Sequence, residues 1–305
     1  MKPATLTLAQ RPAPTMPRIA CAAPPMSAAS RFSPRQVAAL AGKELRDRLR
    51  NRWVLAVAVV FAAFSFAITY FGGAGEGRIG PSSIELTIAS LVSLVIYLIP
   101  LIALLLGFDS VVGERERGSL DLLLALPITR LELLLGKYLG LAAALALATL
   151  AGLAGVAVLL AQRFGAAGLF HYGGFMASSV LLGLAFLSLA MLLSTLARDR
   201  ARASGMAIAL WFAFVLVFDL LLLGLLVASS GQLAGMAQDL PAYLLLLNPA
   251  DVFRILNVFS LDDVRRLYGL ASLVPPALGN PWLMGGAMAA WIVVPLALAA
   301  WRFRP

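Results

Sequence analysis

Residues 86–108 read LTIASLVSLVIYLIPLIALLLGF, 23 positions without a single Asp, Glu, Lys or Arg. At 1.5 Å per residue a helix of that length rises about 34 Å, enough to cross the roughly 30 Å hydrocarbon core of a bilayer. Backbone at that depth finds no water, so it must satisfy its own N–H and C=O groups, and a long continuous apolar run does so as a helix. Stretches at about 53–71, 138–162, 174–197, 205–229 and 282–301 have the same character. The expectation is an all-α membrane protein of six transmembrane helices.

Composition agrees. The 305 residues are 61% hydrophobic and 13% charged, with mean hydropathy +0.91, where a soluble domain carries about a quarter charged residues. Lys and Arg outnumber Asp and Glu by 24 to 15. In a soluble protein that excess would raise nucleic-acid binding. Here the basic residues flank apolar spans without an aromatic-interleaved basic stripe, so they read as orientation signal and contact with the lipid bilayer, and no nucleic acid is expected. Lys43 to Arg52, Arg115, Arg117, Arg130, Lys137, Arg198, Arg200, Arg202, Arg302 and Arg304 share one side of a six-span topology. By the positive-inside rule that side is cytoplasmic, with both termini on it.

Cys21 is the only cysteine and His171 the only histidine, which excludes an intrachain disulfide and a Cys/His metal cluster. Met284 and Met288 share a helix face, but packing accounts for them better than Cu(I) ligation does. No metal site is expected. Residues 1–32 are rich in Pro, Ala and Thr and are expected to be a disordered N-terminal extension, with Met1, Met16 and Met26 all open as the native start. The patterned region, 33–304, reads as one transmembrane domain. It opens at Ser33-Pro34, a cap followed by proline at the first helical position. Val37, Leu40, Ala41, Leu45, Leu49 and Trp53 then recur at spacings of three and four, which predicts an amphipathic N-terminal entry helix along the cytoplasmic headgroups.

Two stretches break the rhythm of span and short loop: 109–137 on the cytoplasmic side and 230–281 on the external side. In the first, Gly118 offers a positive-φ break after Glu114-Arg-Glu116-Arg. A short Leu-rich helix follows, Pro127 ends it, and Thr129 and Glu132 form a T-x-x-E capping box that starts the third span. The product is a helical knob at the membrane surface, read equally well as a solvated connector or as a plug for a partner's groove.

Acidic residues, Gly-Ser-Leu, a Leu-rich turn, Pro127-Ile-Thr-Arg130 and the downstream Gly136-Lys137 together resemble the ABC-2 family of transporter permeases. The resemblance covers about 35–304 and implies a type V exporter-like permease fold in a bacterial inner membrane. It further implies that 109–137 is the coupling segment, with Glu114, Glu116, Gly118, Pro127 and Arg130 forming or shaping the contact with an ABC ATPase subunit. The chain has no G-x-x-x-x-G-K-[ST] loop, so ATP and magnesium are expected on that partner and no cofactor on this chain, which is not itself an enzyme. One six-span half cannot enclose a two-fold pathway, so a homodimer is expected.

In the external segment, Asn248-Pro249-Ala-Asp251-Val-Phe-Arg254 is a helix entry, with Asn as cap and Asp at the positive helix end. Ser260-Leu-Asp-Asp263 predicts a second helix. These helices read as a headgroup lid or as a docking surface, with Asn248, Pro249, Asp251 and Arg254 as the candidate contacts. That motif and Lys43-Glu-Leu-Arg46-Asp-Arg-Leu-Arg50-Asn-Arg52-Trp53 resemble those members of the family that serve copper-site maturation of nitrous oxide reductase. The resemblance implies a periplasmic β-helical partner, and either export or mechanical signalling. A generic drug, lipid or polysaccharide exporter would use the same coupling segment.

Asp219 is the one acid well inside a span. An unpaired charge there costs on the order of 3 kcal/mol, so it must be protonated, paired or facing a wet cavity; it is the candidate pathway residue, and a structural hydrogen bond to a neighbouring helix accounts for it equally well. A secondary transporter would carry more such groups, and no H-E-x-x-H supports an intramembrane protease.

Overall fold

The computed structural model describes residues 32–71, 84–229, 243–258 and 280–303. The described residues fold as helices: α1 (Pro34–Leu49), α2 (Arg52–Phe71), α3 (Ile84–Gly107), α4 (Val112–Glu116) and α5 (Ser119–Leu124). Then come α6 (Arg130–Gly165), α7 (Leu169–Leu196), α8 (Arg200–Phe212), a π-helical turn (Ala213–Val217) and α9 (Phe218–Ser229). A single 3-10 turn (Leu245–Leu247), α10 (Pro249–Val258) and α11 (Pro281–Arg302) complete the chain. Five helical stretches are long and apolar enough to cross a membrane, and α2, with its apolar part Leu55–Phe71, is a shorter sixth. The helix expected at 260–268 lies outside the described residues, as does the 1–31 extension.

The spans fall where the apolar runs place them, and the differences have local causes. The third begins at Arg130 rather than 138, because the capping box nucleates the helix before it reaches hydrocarbon: Thr129 Oγ1 accepts from the Glu132 N–H at 3.2 Å, and Glu132 Oε2 accepts from the Thr129 N–H at 2.6 Å. The third and fourth spans form an antiparallel hairpin that reverses at Gly165, whose φ of 69° and ψ of −161° are open to glycine alone. Tyr138 and Tyr172 close the hairpin by donating to the carbonyls of Leu184 and Leu153 at 3.2 and 3.3 Å.

α1 departs from its expected cap. The Ser33 side chain makes no capping bond; instead its backbone N–H donates to Glu132 Oε1 at 2.5 Å, so one carboxylate serves the starts of both α1 and α6. The entry helix therefore lies against the bundle as well as along the surface. It approaches α6 over Gly136 and Gly140, where a Cβ would meet Leu40 Cβ and Glu44 Cβ, each at 2.6 Å. This four-residue spacing of glycines lets two helix backbones close up, the main route to helix association where lipid is as apolar as leucine.

Burial sorts the spans. In the most apolar window of α7, 61% of the residues are buried, and in that of α3, 56%; the corresponding share is 11% for Arg200–Leu225 and 22% for α11. The inner pair carries the core, with Leu91, Val95, Ile99 and Leu104 of α3 and Leu182, Phe186 and Ala190 of α7 at or near zero exposure. The α8–α9 span lies at its edge, reaching it through Ala207 and Val215.

Gly140→Leu tests the α1 contact. Overpacking there should cost about 1–3 kcal/mol, read as a lower melting temperature in detergent and faster proteolysis between α1 and α2. An unchanged melt would mean that α1 is not seated on α6.

Candidate functional site

The two ends of the bundle each hold a network of charges. At the basic end, Asp109 and the loop after α3 are bolted to the α7–α8 junction. Arg200 pairs with Asp109: its Nη2 donates to Oδ2 at 2.9 Å and its Nε lies 2.6 Å from Oδ1, a charge-assisted contact. Glu116 Oε1 accepts the Arg200 backbone N–H at 2.7 Å at the start of α8, and Arg115 donates to the Ala197 carbonyl at 2.9 Å just past the end of α7. Ser194 Oγ accepts the N–H groups of Val111 and Val112 at 2.9 and 3.1 Å, doing for α4 what a cap residue does.

Glu114 points inward to Lys137 at 2.6 Å, and Lys137 also faces Glu44 of α1 at 3.7 Å. The Lys137 side chain is only 8% exposed, so removing either partner would strand a buried charge and cost more than breaking a surface pair. Arg130 would be repelled by the positive end of α6; it lies 5.8 Å over the Phe303 ring and donates to the Phe303 carbonyl at 3.3 Å, at the negative end of α11. Gly118 takes φ 69° and turns the chain into α5. Within and just after α5, Leu120 packs inward while Leu122 is 74% and Leu126 54% exposed. Pro127, itself exposed, is held through its carbonyl by Gln36 of α1 at 3.3 Å. The result is a short apolar knob on a rigid base.

At the opposite end, the structure brings together residues that the sequence placed in two separate roles. Asp219, at the start of α9, meets Arg254 of α10 at 2.9 Å, and Arg254 also holds Asp251 at 2.5 Å. The acid inside the span is paired. Asn248 caps α10 by accepting the Ala250 N–H at 3.0 Å, and its amide donates both to Asp251 Oδ2 and to the Phe214 carbonyl at 2.8 Å. That carbonyl belongs to the π turn. Phe218, which in a regular α-helix would donate to Phe214, donates to Ala213 instead. The wider turn thus presents an acceptor, and Asn248 takes it.

Asn248 and Asp251 are therefore buried, at 0% and 1% exposure, while Asp219 and Arg254 have side chains 38% exposed. Pro249 is buried too, so three of the four members of the expected docking set face the bundle and fix α10, rather than offering an outer surface. One arginine serves two carboxylates, and burial pushes the Asp251 carboxyl above the ordinary range despite the pull of Arg254. Arg254 is in turn held protonated by both acids. Phe253 and Val252, fully buried, seat the helix below. Among the described residues no group of three or more His, Cys, Asp or Glu is placed to hold a metal.

Residues 38–304 match the family described as ABC-2 family transporter protein. The chain belongs to the ABC-2 transporter family. It is 46% identical over 271 residues to the "Probable ABC transporter permease protein NosY" of Pseudomonas aeruginosa, covering 87% of this chain and 96% of that one. It is 44% identical over 276 residues to the protein of the same name from Stutzerimonas stutzeri, covering 88% and 98%. As a multi-pass ABC-2 permease it is a membrane-spanning subunit of an ABC transporter, and both of its charge networks fall within the matched region.

Sequence reading missed Asp109, Arg200 and the Phe214 carbonyl. The first two could have been found as opposite charges at the end of one span and the start of another. Nothing in Ala213–Val217 marks a π turn.

In this permease Arg254→Ala should destabilise by about 1–3 kcal/mol, below the full buried-pair range because the guanidinium is partly exposed. Asp219→Asn should cost under about 1 kcal/mol, since an amide still accepts from Arg254. The double variant should melt close to Arg254→Ala alone, measured by thermal unfolding in detergent as a double-mutant cycle. Additive losses would mean that the two residues act independently.

Proposed function

We propose that this permease works as a homodimer in the bacterial inner membrane, basic end inward, and couples ATP hydrolysis by a separate NosF-like ATPase to movement at the periplasmic end. The single observation that supports it best is the knob at α5. Two large apolar side chains, Leu122 and Leu126, stand exposed beside charged residues on a base clamped by Glu114–Lys137, Arg200–Asp109 and Glu116. Exposed apolar groups on a rigid projection suit insertion into a partner's groove. Glu116, Gly118, Pro127 and Arg130 frame it, and Glu114 acts from below by fixing its angle.

The work served is copper-site maturation of nitrous oxide reductase, with a NosD-like periplasmic β-helical protein docked on the outer face. Support comes from the motif Asn248 to Arg254, the entry-helix motif Lys43 to Trp53, and the name carried by the two relatives. In this reading Asn248, Pro249 and Asp251 shape α10 and Arg254 joins it to the span, so the partner senses the helix they hold. Asp219 is the span's end of that link. Whether a sulfur- or copper-related species crosses or only motion is transmitted, the same link carries the step.

Affinity capture of the full chain from gently solubilised membranes tests the assembly. The wild-type chain should bring down an ATPase and a periplasmic β-helical protein, and Leu122→Asp should reduce ATPase recovery at least about tenfold, since a charge replaces a buried anchor. Recovery of the ATPase undiminished by Leu122→Asp would contradict docking through α5. Recovery without the periplasmic protein would leave a generic exporter.

A further inference from the structure

A groove of about 470 Å³ opens between α2, α3 and α6. Its lining runs from Arg48 and Asn51, at the basic end of the bundle, past Leu105 and Ile102 to Phe61, Ala148 and Thr149 further along the helices. The ten residues from Asn51 to Phe61 rise about 15 Å along α2, half of a roughly 30 Å hydrocarbon core. The groove is thus about as deep as one leaflet and almost wholly apolar below its basic end, with Thr149 the polar side chain in its deeper lining.

We propose that it binds one anionic phospholipid, with an acyl chain in the groove and the phosphate at Arg48. Three observations select that occupant. First, the lining is apolar from Val57 to Phe61 and from Leu98 to Leu106, which suits an alkyl chain and nothing polar. Second, Arg48 gives its Nε to Glu44 at 3.0 Å, which leaves the Nη donors that a phosphate takes. Third, between positions 43 and 52 Lys43, Arg46, Arg48, Arg50 and Arg52 face only Glu44 and Asp47, an excess of positive charge that favours an anionic over a zwitterionic headgroup. This end of the groove also adjoins the chain of ion pairs that runs from Arg48 through Glu44 and Lys137 to Glu114. A lipid phosphate at Arg48 therefore sits at the far end of the network that holds the α5 knob.

The test is native mass spectrometry of the full chain after equilibration in detergent with phosphatidylglycerol or phosphatidylcholine of the same acyl chains. The parent chain should retain one phosphatidylglycerol, about tenfold more than phosphatidylcholine, a difference of about 1.4 kcal/mol. Ala148→Phe fills the end of the groove away from Arg48 and should lower retention of both lipids. Arg48→Gln leaves the groove open and should retain both lipids equally. Equal retention of the two lipids by the parent chain, undiminished retention by Ala148→Phe, or an unchanged preference in Arg48→Gln would each overturn the proposal.

Discussion

Hydrocarbon offers a polar atom no partner, and that constraint organises this protein from its helices to its charge networks. It forces every span to be helical, and it also decides what happens where a helix is irregular. Near Pro100 of α3, which has no N–H to give the Ile96 carbonyl, Trp211 donates to the neighbouring Tyr97 carbonyl at 3.0 Å. In the 3-10 turn before α10, Trp291 of α11 donates to the Leu246 carbonyl at 3.0 Å. At the π turn, the Phe214 carbonyl meets Asn248. Each departure from α geometry becomes a point where another element is tied in. The small outer helix is seated by its buried apolar face, Ala250, Val252, Phe253 and Ile255, and tied in further by the Asn248 bonds and by the pairing of Arg254 with Asp219.

The two ends use charge differently. At the basic end, carboxylates and cations from five elements interlock around a short loop, and the apolar Leu122 and Leu126, in and just after α5, are left outward on it. Rigidity there lets a push on the knob reach α1, α6 and α8 together. At the other end a single arginine bridges α9 and α10 between two acids, one buried and one part-exposed. A link through one side chain is easier to break and remake than the network at the basic end. It also stands beside a π turn, where a helix can shift its register by one residue at low cost. In the proposed coupling cycle the basic end is the stiff input and the α9–α10 link the switchable output.

Much of this was legible in the sequence because its causes are local. The apolar runs, the capping box of Thr129 and Glu132, the Gly118 break and the Asn248-Pro249 helix entry are set within a few residues, and the structure keeps each of them. The burial cost of Asp219 was also legible, and it correctly demanded a solution. Its partner was not, because Arg254 lies 35 residues away across a segment whose path no local rule dictates. For the same reason Asn248 and Asp251 looked like surface residues: helix-cap chemistry reads identically whether the helix faces solvent or the bundle. Ser33 illustrates a smaller version, since its N–H is claimed by a carboxylate 99 residues on.

The central claim is that events at the basic end are read out as movement of α10 against α9. The direct measurement is the distance between spin labels on exposed Leu223 of α9 and exposed Leu247 of the 3-10 turn that leads into α10, by double electron–electron resonance in the reconstituted assembly with and without trapped ATP. The account predicts a distance distribution that shifts when ATP is trapped, and a shift already present without nucleotide when Arg254 is replaced by Ala. A single distribution, unchanged by nucleotide while ATP is being hydrolysed, would contradict it.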